Sequence, residues 1–131
     1  MSKDNVDRFV AAIETFNLGD RPGIFRHWDP EVKFEHRLAG LEGNLAGLDA
    51  VRGWFEDASK LLATWQIHCQ DVRDLGDRVL ALGTVRAVGK ESGVETEMPF
   101  TVVATFKEGL VTQFIDYGDK DQALKAVGLT E

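Results

Sequence analysis

The sequence predicts a single α+β domain over residues 1–131, with three amphipathic helices over the concave face of a strongly bent, mainly antiparallel sheet. Three observations predict it. Apolar residues at helical spacing are confined to the first half of the chain and to a short segment at its end. From residue 65 onward, strand-like runs alternate with short turns, which marks an antiparallel meander. At 131 residues, one core can bury roughly two-thirds of the surface of the unfolded chain. A bent sheet beneath helices encloses a cone, and the wide end of a cone can hold a small molecule.

The elements follow in order. Val6, Phe9, Val10, Ile13 and Phe16 keep helical spacing and predict a first helix over roughly 4–18, with Asp4 and Asp7 near its positive end and Gly19 closing it. Asp20 caps a second, short helix that carries Pro22 in its first turn and buries Ile24, Phe25 and Trp28. Asp29-Pro30 ends that helix, because a residue before proline avoids helical backbone. Residues 32–38 alternate apolar and charged, predicting a half-buried strand with Val32, Phe34 and His36 on one face. Residues 39–47 hold three glycines and read as a loop.

A third helix is expected over roughly 48–62, on the stripe Val51, Trp54, Phe55, Ala58, Leu61 and Leu62. Gly53 inside it implies close packing. Strands follow at 65–75, 78–88 and 94–106, the last bent at Pro99, and a final strand carries Asp116. Asp119 then caps a short helix that Gly128 closes.

Charge and composition narrow the partners. With 22 acidic and 15 basic side chains the net charge is -7, which argues against nucleic acid and against an anionic membrane surface. No run of 18 apolar residues exists to span a bilayer. The first residues have no apolar signal core, and the single cysteine, Cys69, cannot form an internal disulfide, so a cytoplasmic location is expected. The three histidines fall on separate elements without ligand-like spacing, so neither a metal nor any other cofactor is expected. Gly89-Lys90-Glu91-Ser92-Gly93 lacks phosphate-loop spacing and lies between strands, so it reads as a hairpin turn.

The informative anomaly is Asp116, a carboxylate inside the apolar strand Leu110-Val111-Thr112-Gln113-Phe114-Ile115-Asp116. Such a group is costly unless paired or useful. Period-two alternation puts Phe114 and Asp116 on one face, and His36 occupies the corresponding face of the first strand. If both line one cavity, Asp116 can act as general base with His36 assisting, because an apolar pocket raises a carboxylate's pKa. The plainer reading makes Asp116 a solvated strand end at the pocket rim, or a group that bonds a backbone N–H near the last helix, and His36 a strand-end histidine on a carbonyl. Trp28, Trp54, Phe55 and Trp65 are expected as core and pocket wall, beside Phe34 and Phe114. Ala81, Gly83 and Val85 share a face whose small side chains leave room for a ligand, or simply admit the third helix.

Several local sequences carry a resemblance. They are Gly19-Asp20, Trp28-Asp29-Pro30-Glu31-Val32, Gly47-Leu48-Asp49-Ala50-Val51-Arg52, Leu75-Gly76-Asp77-Arg78-Val79 and Asp116-Tyr117-Gly118-Asp119. With the element order, they resemble the nuclear transport factor 2-like superfamily and, within it, the SnoaL-like polyketide cyclase group. The resemblance implies a ketosteroid isomerase-like cone with a small-molecule pocket, and a homodimer. It matches the cyclases' catalytic aspartate to Asp116, as it does the last member of the triad of limonene-epoxide-hydrolase-like relatives. The other two members of that triad fall near Gly83 and Val85. The ketosteroid isomerases' proton-shuttling position falls on His36, while their oxyanion donors fall on Ala12 and near Val102, so those donors are missing.

Three functions remain open at this level. One is a cofactor-free isomerase, cyclase or lyase acting on a small, mostly apolar carbonyl compound. The second is a binder of such a molecule without chemistry. The third is a dimeric assembly module using a mixed outer face of Glu95, Glu97, Thr101, Val103 and Thr105.

Overall fold

The computed structural model describes residues 2–36 and 43–129. Helix α1 (Ser2–Asn17) leads through Gly19 into a 3-10 turn at Arg21–Phe25. Strands β1 (Trp28–His36) and β2 (Gly43–Ala46) precede helix α2 (Leu48–Leu61). Then come β3 (Leu62–Asp74), β4 (Arg78–Gly89), β5 (Glu95–Lys107) and β6 (Leu110–Asp116), and helix α3 (Lys120–Ala126) ends the order. The strands form one six-stranded sheet in the order β2-β1-β6-β5-β4-β3. Every neighbouring pair is antiparallel except β1 and β6, which run parallel. The fold is the expected α+β cone, with an open sheet.

Three local expectations change. The second helix is only a 3-10 turn; Asp20 caps it as expected, its carboxylate accepting from the Gly23 N–H at 3.2 Å. The turn ends at Phe25, so Trp28 opens β1 instead of closing a helix. Pro30 then lies inside β1, where the register against β6 shifts between Trp28 and Lys33. A residue with no N–H is tolerated where the ladder is already interrupted. Within the glycine-rich segment, residues 43–46 pair antiparallel with β1 as β2. Gly-Asn-Leu-Ala has poor strand propensity, and the β1 backbone supplies the pairing. The expected strand end at Arg37 and Leu38, and the start of the loop at 39–42, lie outside the described residues.

The meander is as expected. β5 runs unbroken through Pro99, and its pairing with β6 begins only at Val102. Among the described residues the Pro99 stretch therefore has a strand on one side only, as suits proline.

Two apolar clusters lie on opposite faces of the sheet. The larger packs α1, α2 and the 3-10 turn onto the concave face, with Phe16, Val32, Val51 and Val102 almost fully buried. The smaller puts Ala123 and Leu124 of α3 over Leu80, Leu82 and Val103. The expected mixed outer face is thus partly covered: Thr101 and Val103 are buried, while Glu95 and Glu97 stay exposed.

One polar side chain fixes α1 to β3. Asn17, at the end of α1, donates to the Ile67 carbonyl at 2.7 Å and accepts from the Ile67 N–H at 2.8 Å. A helix end and a strand are thereby locked in register. In β3 the pairing with β4 shifts between Cys69 and Asp71, opposite Gly83. A Cβ at Gly83 would run into the His68 carbonyl. Glycine is there for backbone approach, which corrects the expectation that it makes room for a ligand. Gly53, by contrast, is exposed and a Cβ there would meet nothing, so the close packing expected of it is absent.

Candidate functional site

The site is built where the described part of β1 lies beside the end of the parallel strand β6. Their register sets Phe34 beside Phe114 and His36 beside Asp116. The two phenyl rings stack at 5.6 Å with an interplanar angle of 5°. Parallel pairing carries the match one pleat further, so imidazole and carboxylate become neighbours on the concave face.

Asp116 is 6% exposed. Its Oδ1 accepts from the Gly118 N–H at 3.0 Å and from the Thr101 hydroxyl at 3.4 Å. The first bond closes a tight turn that Gly118 completes with φ 72°. Burial pushes the Asp116 carboxyl above the ordinary carboxylate range, against the opposing pull of the Gly118 bond, of His36 and of Thr101. Burial also lowers the His36 pKa, and the Asp116 charge opposes that fall. Both groups are biased toward their neutral forms, and each one's charge would favour the other's, so their protonation is coupled. Among the described residues nothing bonds the buried Nδ1 of His36. Its ring lies 5.5 Å from that of Trp54 and 6.1 Å from that of Phe34.

A cavity of about 350 Å³ opens onto this pair. Aromatic rings wall it: Phe34, Trp54, Phe55, Trp65 and Phe114. Val85 and Ala87 of β4 and Thr96, Met98 and Phe100 of β5 complete the opposite side. The volume lies within the range of small-molecule sites. A second void, of about 20 Å³ beneath α1, holds no more than a water.

Of the residues singled out from the sequence, the structure brings Asp116, His36, Phe34, Trp54, Phe55, Val85 and Phe114 to one cavity. Trp28, Gly83 and Val102 are not among its lining residues. Trp28 packs behind the wall, 4.9 Å from Phe114 and 5.0 Å from Phe25. Gly83 serves the β3 bulge, and Val102 is fully buried beside Asp116 in the ladder. Thr96, Met98 and Phe100 were missed, although alternation from Val102 along β5 points to that face.

Cys69 is half-buried, and burial raises its thiol to about 11, so it holds no thiolate at neutral pH. Among the described residues, no three metal-ligating side chains cluster and no helix is long and apolar enough to cross a membrane.

The SnoaL-like domain family matches residues 6–114, most of the chain. The chain belongs to that family. The matched span stops at Phe114, just short of the candidate base Asp116. Solved structures extend the likeness across the whole cone. A nuclear transport factor 2-like protein of unknown function from Burkholderia pseudomallei superposes with TM-score 0.78 at 23% identity, covering 95% of this chain and 98% of that one. TerC, co-crystallised with polyporic acid, gives 0.76 at 21%, covering 95% and 98%. A candidate polyketide cyclase from Xanthomonas campestris pv. campestris gives 0.73 at 19%, covering 96% and 98%. At such identities the likeness is one of fold. No curated protein matches the sequence.

Proposed function

We propose that this SnoaL-like chain binds a small, mostly apolar carbonyl compound in the aromatic cavity, and that Asp116 acts there as general base with His36 assisting. The observation that carries the reading is the convergence of a buried carboxyl and a half-buried imidazole on one apolar cavity. A desolvated carboxyl of raised pKa is matched to taking a proton α to a carbonyl. The coupled imidazole can receive or return that proton, so a cofactor-free isomerisation or cyclisation needs no other acid–base group. TerC has the same fold and was crystallised with polyporic acid, which agrees with a small-molecule site in a cone of this kind.

A non-catalytic binder is the second reading, and one observation favours it. Oδ1 of Asp116 is already engaged by Gly118 and Thr101, bonds that a purely structural aspartate would also make. The readings separate on Asp116→Asn, which keeps an acceptor for the turn but removes the base. Deuterium exchange at the α-carbon of a panel of apolar ketones is measured in D₂O for both proteins. Loss of about 10²–10⁴-fold in exchange supports the enzyme, the range general-base catalysis contributes. Equal exchange with altered ligand affinity supports the binder. Independent titration of Asp116 and His36 at ordinary values, read by NMR, would remove the dyad from either account.

A further inference from the structure

A second groove opens on the far side of Phe55 from the aromatic cavity. It lies between the 3-10 turn and α2, with a volume of about 420 Å³. Arg21 and Arg52 both line it, with Phe25, Phe55, Glu56 and Ser59. We propose that this groove is a binding site for an oxyanion, a carboxylate or phosphate, carried on a planar apolar body. The proposal stands apart from the reading of Asp116 and does not depend on it.

Each arginine lies over an aromatic ring. The Arg21 guanidinium sits 5.8 Å from the Trp65 ring centroid and reaches the Ser59 carbonyl at 3.4 Å. The Arg52 guanidinium sits 5.4 Å from the Phe25 ring centroid. A guanidinium drawn to a ring face gives up part of its freedom before a ligand arrives, which reduces the entropy lost on binding. Among the described residues neither arginine makes an ion pair. Glu56 is the one carboxylate of the lining, and its Oε1 lies 3.9 Å from the exposed Lys60 Nζ. The groove thus offers two guanidiniums against one carboxylate. A guanidinium fork takes two oxygens of a carboxylate or phosphate at once, and Phe25 and Phe55 offer apolar contact for a flat body.

The test titrates the ¹⁵N-labelled protein with benzoate, phenyl phosphate and the neutral analogue benzamide. Saturable shifts of the Arg21 and Arg52 side-chain N–H groups with the two anions, and not with benzamide, are expected. The Arg21→Gln and Arg52→Gln variants keep much of the side chain and lose the charge, and each should weaken binding about tenfold, with the double variant showing no saturation. Arg→Lys at either position should recover only part of the loss, since charge returns without the fork. Equal response to benzamide, undiminished binding in the double Gln variant, or shifts confined to Phe114 and Asp116 would overturn the proposal. If the double Gln variant is unfolded by its own amide spectrum, the single Lys variants still decide the matter: unchanged affinity in both counts against it.

Discussion

At the scale of single residues, Asp116 governs what pH does to this protein. Burial raises its carboxyl, so the folded protein keeps a proton that the unfolded chain has already lost above the reference value of 3.8. Stability therefore falls as pH climbs from that value through the raised one. Asp116→Asn removes the penalty and keeps the acceptor for Gly118. The variant should match the native protein at strongly acid pH and be the more stable above the window, which urea unfolding across pH checks. His36 works in the opposite sense. Its folded pKa lies below the reference value of 6.5, so stability is lost as pH falls below that reference and through the lowered value. Asp116 is what opposes the fall, so in Asp116→Asn the His36 ring should titrate lower still, as ring-proton NMR will read. An unchanged His36 midpoint would mean that the two groups do not interact. The candidacy of Asp116 was legible because a carboxylate inside an apolar strand has few bland explanations. Its neighbour was less so: His36 stands 80 residues away, and only the parallel register of β1 and β6 brings the two together.

At the scale of elements, glycine and asparagine separate packing from propensity. Gly53 and Gly83 look alike in the sequence. Gly53 has open space where a Cβ would go, so Gly53→Ala should raise stability by about 1 kcal/mol through helix propensity alone. Gly83 faces the His68 carbonyl, so Gly83→Ala should destabilise by more than about 2 kcal/mol or shift the β3 bulge. Thermal melts of the two variants should move in opposite directions. Asn17→Ala deletes both side-chain bonds to Ile67 and should cost roughly 1–3 kcal/mol, leaving the β3 backbone there unsatisfied. Faster hydrogen exchange at the Ile67 amide would locate the loss. Helices α1 and α2 could be read from their apolar periodicity. The strand β2 could not, because its four residues carry little intrinsic preference and owe their conformation to β1.

At the scale of the whole molecule, the sheet is coated on both faces, and α3 supplies the second coat. Leu124 is 2% exposed and sits over Leu80, Leu82 and Val103. Leu124→Ala should cost about 2–5 kcal/mol and leave the concave cavity unchanged. Chemical denaturation gives the first quantity, and unaltered His36 and Trp54 resonances would confirm the second. The sequence by itself determined the α+β class, the meander, the capped ends at Asp20 and Asp119 and the aromatic character of the helix stripes. These follow from local periodicity and turn chemistry, which the chain carries in consecutive residues. Only the tertiary structure decided which aromatics wall a cavity. Trp28 packs behind it and Trp54 lines it, although both read equally as wall. Register decided it, because a shift of one residue in a strand exchanges its faces, and the bulges at β1 and β3 make such shifts where no local pattern announces them.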